Sequence, residues 1–243
     1  MQNNDPWIGV STLSLYPRTL SRALEIAQQL DFGIQLVPST LWREQDLRDL
    51  KNLEDTTGRR IVMSYEGDWR MPTLLGIMQK AIQNLDPLAL LAPMIFGSRT
   101  HVSRALAQVQ SLFPQALGVD QGPWSLMEVS PVNSNAKEDY LEHKPGVVLD
   151  TLHAREFSEL EPSGLVSSLV AAGQIKLIHF QTRSREELDA FIAGGGEDVD
   201  RLLRHALLGC NKVIIEVPPQ FLGIRHPQVK LREIADAIRR CVD

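Results

Sequence analysis

Four apolar runs in this 243-residue sequence end on a residue that can ionise or bind a metal. Trp-Ser-Leu-Met-Glu ends on Glu128, Val-Val-Leu-Asp on Asp150, Lys-Leu-Ile-His on His179, and Val-Ile-Ile-Glu on Glu216. The separations are 22 (150 − 128), 29 (179 − 150) and 37 (216 − 179) residues. Each gap has room for one helix and one further strand. Three carboxylates and an imidazole converging on one place would repel and desolvate one another unless a cation neutralised them. Oxygen and nitrogen donors of this kind suit a divalent metal: Mn, Co, Mg or Zn. Each residue alone has a plainer reading, since a Glu or Asp after a strand is commonly a helix cap or an ion-pair partner. Recurrence on four successive strands is what favours a shared site. His153 follows Asp150 by three residues, where it could orient a ligand, touch substrate or cap the next helix.

The elements that must position these groups follow from periodicity. Short apolar strands alternate with amphipathic helices along the whole chain. Strands are expected at Trp7 to Leu15, Ile34 to Val37, Arg60 to Tyr65, Pro87 to Phe96, Trp124 to Val129, Gly146 to Thr151, Gln174 to Phe180 and Lys212 to Val217. Between and after them the pattern predicts helices over 18–30, 43–57, 72–84, 98–117, 136–142, 156–172, 184–193, 198–208 and 228–242. The helix over 156–172 has a break near Pro162 and Gly164. Strand alternation puts Lys212 and Ile214 on the face of Glu216, Ile175 and Leu177 on that of His179, and Gly146 and Val148 on that of Asp150. Eight strands alternating with helices imply parallel strands with right-handed crossovers. The fold class expected is α/β, a single (β/α)8 TIM barrel spanning residues 1–243, with its site at the C-terminal strand ends.

Composition narrows the function. There are 25 basic and 30 acidic residues, a formal charge of −5, which disfavours a nucleic-acid duplex as partner. Cys210 and Cys241 form no CxxC pair, so no zinc finger or redox motif is visible. No apolar run approaches the roughly 18 residues that span a bilayer, and the N-terminus lacks the pattern of a signal peptide. A cytoplasmic protein without a membrane partner is expected. No nucleotide-binding glycine fingerprint is present. Gly194 to Gly196 follows a helix and reads as a flexible joint.

The strand-end residues resemble the xylose isomerase-like superfamily, the sugar isomerases and epimerases that also include endonuclease IV. Gly146-Val-Val-Leu-Asp-Thr-Leu-His153 resembles its strand ending in D-x-x-H, Ile175-Lys-Leu-Ile-His179 its next strand ending in His, and Val213-Ile-Ile-Glu216 its last. Glu128 matches the Glu ending its fifth strand. The resemblance implies a single metal held by Glu128, Asp150, His179 and Glu216, with Glu128 and Glu216 as catalytic acid and base. His153 and Arg185 match substrate-binding positions, with Arg183 as a rival to Arg185. It also implies a sugar-like small-molecule substrate and allows a homodimer.

Departures from the pattern are specific. Met63-Ser-Tyr-Glu66 and Met94-Ile-Phe-Gly97 lack the family's His residues, Ile34-Gln-Leu-Val37 lacks its acidic residue, and His179-Phe-Gln-Thr182 lacks its second Asp. The leading expectation is a metal-dependent isomerase or epimerase working through an enediolate. A non-catalytic binding barrel and an endonuclease IV-like phosphodiester hydrolase are the alternatives. A lyase step on the same enediolate is also compatible. Trp7, Tyr65, Trp69 and Trp124 could offer apolar faces to a substrate, although such aromatics are more often core.

Overall fold

The computed structural model describes residues 5–37, 61–64, 89–92, 124–128, 146–156, 162–223 and 225–242, with the backbone alone for 61–64, 89–92, 124–128, 156, 162, 163 and 165. The strands are β1 (Trp7–Ser11), β2 (Gly33–Leu36), β3 (Ile61–Ser64), β4 (Ala89–Ala92), β5 (Trp124–Glu128), β6 (Gly146–Asp150), β7 (Ile175–Phe180) and β8 (Lys212–Ile215). The described helices are α1 (Leu20–Leu30), α2 (His153–Glu156), α3 (Pro162–Ala171), α4 (Arg185–Ile192), α5 (Glu197–Leu207), α6 (Pro219–Leu222) and α7 (Pro227–Arg240). Every strand pairing is parallel, neighbours follow sequence order, and β8 pairs back onto β1.

The expected regular (β/α)8 barrel of xylose isomerase-like form is corrected. Side chains are described on five strands only, β1, β2, β6, β7 and β8, and the described helices number seven. They do not alternate one per strand: α1 follows β1, whereas β6, β7 and β8 are each followed by two. What the described residues define is an all-parallel α/β sheet backed by helices, continued through the backbones of β3, β4 and β5. The reason for the doubled helices lies in the punctuation of the chain. Pro162 and Pro227 each open a new helix, where a missing N–H costs nothing. Gly196 takes a positive φ ahead of α5, which separates it from α4. The helices expected at 43–57, 72–84, 98–117 and 136–142 lie outside the described residues, as do Tyr65, Trp69 and Met94 to Gly97.

The two faces of the sheet differ. Val10, Ile34, Leu149, Ile178 and Ile215 pack with the helices in one continuous core, where Leu24, Leu169, Leu188, Leu203 and Leu231 meet them. Val148, Leu177 and Ile214 are equally buried yet lie outside that cluster, on the opposite face. Gly9 belongs to this second face. A Cβ there would sit 2.6 Å from Ile214 Cδ1 and 3.1 Å from the Gly33 backbone, so a larger residue requires both neighbours to shift.

One alternation differs from expectation. Val147 pairs with Ile175 but Val148 pairs with Leu177, a bulge that gives β7 the extra residue Lys176. Lys176 is exposed, and Ile175 joins the helix-facing core instead of lying beneath His179. The bulge is invisible to a strict period of two. Beyond it Asp150 pairs with His179 and His179 with Ile214. Among the described residues no helix is long and apolar enough to cross a membrane.

Candidate metal centre

Asp150 is the last residue of β6 and is fully buried. Its Oδ1 accepts the backbone N–H groups of Leu152 (2.7 Å) and His153 (2.8 Å), which turns the chain out of the strand and into α2. The cap role and a ligand role are compatible, because a carboxylate has two oxygens. His179 is fully buried beside it on β7. Glu216 follows β8 directly, and its N–H donates to Phe180 O at 3.0 Å, extending the β7–β8 ladder by one step. That bond fixes the Glu216 backbone beside β7.

Asp150, His179 and Glu216 each offer a donor atom, and the three atoms lie within 4.8 Å of one another. All three residues are buried, Glu216 the most accessible at 8%. His179 Nδ1 stands 2.8 Å from Glu216 Oε2. Such a spacing suits either a shared proton or a shared cation. Two carboxylates and an imidazole are hard and borderline donors, the set that divalent cations of the Mg, Mn and Zn type take. Burying two carboxylates at this separation is costly without a positive charge. The group could hold a metal ion, and the donor chemistry fits one.

Two polar residues complete the cluster that the sequence pattern did not single out. Ser11, at the end of β1, donates its hydroxyl to Glu216 Oε1 at 3.0 Å. Gln35, on β2 opposite Ser11, donates its amide to the same oxygen at 3.3 Å. Gln35 Oε1 lies 2.8 Å from His179 Nε2. The available signal was small: Gln35 is the one polar residue in Ile34-Gln-Leu-Val37, and alternation places it on the face opposite Ile34 and Leu36.

Of the other candidates, Glu128 ends β5 with its Cα opposite Val148, and its side chain lies outside the described residues. His153 opens α2, half-buried, with Nδ1 4.0 Å from Asp150 Oδ1, so the structure brings it to the edge of the cluster. Arg185 is exposed at the start of α4 and pairs with Asp189 at 3.7 Å. Arg183 is exposed, and its backbone N–H donates to Glu187.

A second polar assembly holds the two loops in place. Thr151 Oγ1 donates to Gln181 O at 2.8 Å and accepts the Gln181 N–H at 2.9 Å, tying the residue after Asp150 to the segment after His179. Arg155 donates to Thr151 O at 2.7 Å and to both Glu187 oxygens, at 2.5 and 3.3 Å. Ser184 caps α4 by accepting the Glu187 N–H, so Ser184 and Glu187 have the spacing of a capping box. Burial works against the Glu187 charge, but bonds from the Arg155 side chain and the Arg183 N–H hold its carboxyl below the usual value.

No protein-family model matches this chain, and no curated protein matches it.

Proposed function

We propose that the protein is a metal-dependent isomerase or epimerase of a sugar or small hydroxy-ketone, related to the xylose isomerase-like superfamily that its strand ends resemble. The observation that carries the reading is the buried Asp150, His179 and Glu216 group within 4.8 Å at neighbouring strand ends. A divalent cation of the Mn, Co, Mg or Zn type, when bound there, supplies positive charge that stabilises the oxyanion of an enediolate. Asp150 and His179 hold position, each fixed through a second atom: Asp150 Oδ1 by two backbone N–H groups, His179 Nε2 by Gln35. Glu216 keeps Oε1 on Ser11 and Gln35 and turns Oε2 toward the centre, where that oxygen can take up or return a proton. In this proposal Glu128 is the second acid/base, and His153 and Arg185 are the substrate contacts, assignments that rest on the resemblance. The intended ligand is a small molecule rather than a nucleic acid.

A second reading has its own support. Gln35 bridges His179 and Glu216 through both ends of its amide, a polar network that a binding protein without catalysis would retain. Exchange of the α-proton of ketoses in deuterium oxide separates the two. The isomerase reading predicts metal-dependent exchange that chelator abolishes and Glu216→Gln lacks. Metal bound without exchange of any ketose supports the binding protein.

A further inference from the structure

We propose that Gln35 is the positioning residue of this site: it holds the Nε2 proton of His179, so that Nδ1 is the nitrogen presented to the cation, and it steadies Glu216 with the same amide. The inference rests on the metal reading for its consequence but on hydrogen-bond geometry for its substance. Gln35 is fully buried in the middle of the sheet, and both ends of its amide are engaged. Its oxygen lies 2.8 Å from His179 Nε2, and its nitrogen lies 3.3 Å from Glu216 Oε1. A carbonyl oxygen only accepts, so Nε2 must carry the hydrogen between them. Nδ1, on the other side of the ring, then faces Glu216 Oε2 at 2.8 Å, and His179 and Glu216 both belong to the group shared with Asp150.

Glu216 sets the orientation of the amide. Reversal would place the Gln35 carbonyl oxygen against the Glu216 carboxylate oxygen, two acceptors 3.3 Å apart. The choice of an amide follows from the same two contacts. A carboxylate at position 35 could still accept from Nε2 but would stand against Glu216 as a like charge. An apolar side chain would satisfy neither neighbour. A metal-ligating histidine is oriented by the partner of its other ring nitrogen, and losing such a partner typically costs about 10- to 100-fold in metal affinity. Ser11 gives Glu216 Oε1 a second bond, so Glu216 retains one anchor when Gln35 is replaced, whereas Nε2 loses the acceptor described here.

The test uses nitrogen NMR of the histidine ring in the full-length protein, with the His179 signals assigned through His179→Ala, together with zinc titration of the wild type, Gln35→Met and Gln35→Glu. The expected result is an Nε2 that carries a proton in the wild type both with and without zinc. Zinc affinity should fall about 10- to 100-fold in Gln35→Met. Gln35→Glu, of nearly the same shape, should bind zinc through a reorganised ring, with shifted His179 signals. An unprotonated Nε2 in the wild type overturns the inference whether or not the variants fold. So does a Gln35→Met protein with wild-type zinc affinity and unchanged ring signals. A wild type that binds no zinc but keeps the Nε2 proton sinks the metal reading and leaves the positioning role of Gln35 supported.

Discussion

Two charged clusters flank the same pair of loops, and they are built on opposite principles. Arg155 and Glu187 neutralise each other: a guanidinium meets a carboxylate through two hydrogen bonds, and the backbone supplies the rest. Asp150, His179 and Glu216 gather two carboxylates round one imidazole in a more deeply buried place. The first is a finished structural joint. The second gathers buried donor atoms within 4.8 Å of one another, a group that could hold a metal ion. The joint beside it ties together the loops that follow Asp150 and His179.

The largest expected effects come from removing the donors. His179→Ala, Glu216→Gln and Asp150→Asn should each lower metal affinity by at least about 100-fold, since even outer partners cost up to that much. Asp150→Asn keeps an oxygen for the N–H groups of Leu152 and His153. Its metal-free form should melt at or above the wild-type temperature, because a buried like-charge contact is relieved. Calorimetric titration and thermal melts check both halves, and a large loss of metal-free stability in Asp150→Asn would make the cluster a structural joint like the first.

Next comes the joint itself. Arg155→Met should cost about 2–4 kcal/mol in urea unfolding by stranding a half-buried Glu187. The metal-free cluster should remain, with a weaker grip on cations as Thr151 loosens. Beneath the cluster the apolar layer sets a third, smaller test. Gly9→Ala should cost about 1–3 kcal/mol, because its Cβ meets Ile214 Cδ1 and the Gly33 backbone. An alanine tolerated without loss would mean that β1 can move away from β8.

The smallest effect is one of pH. The Glu187 carboxyl is held below its ordinary value of 4.5, so its contribution is complete above that value. It is lost as pH falls through the lowered one. Glu187→Gln should flatten the acid limb of the melting-temperature profile in that window and change little near neutrality beyond the loss of its bonds. At the far side of the helical layer Asp200 is lowered likewise by Arg204, and the neighbouring Cys241 thiol is pushed up to about 12 by burial and then by Asp200. That thiol should therefore resist alkylation at neutral pH in the folded protein.

The sequence made the parallel strands legible because each is a short apolar run bounded by Gly, Pro or charge. It made Asp150, His179 and Glu216 legible because an ionisable residue ending such a run is rare enough to be noticed when it recurs. It showed the two helices after β7, over 184–193 and 198–208, and the break near Pro162, but hid the four-residue helices α2 and α6, which are too short to carry a period. It hid the bulge at Lys176 because one inserted residue inverts alternation without leaving a composition signal. It hid Gln35 and Ser11 because neutral polar side chains in strands have many roles, and only the register Ser11 opposite Gln35 shows that they share one oxygen of Glu216.

The central claim is that the buried cluster is a cation site, and the most direct measurement is the metal content of the purified protein before and after soaking with Mn, Co, Mg and Zn, repeated on His179→Ala and Glu216→Gln. The account predicts one equivalent in the wild type and none in the two variants. A wild type that retains no metal after soaking, or variants that retain as much as the wild type, would contradict it.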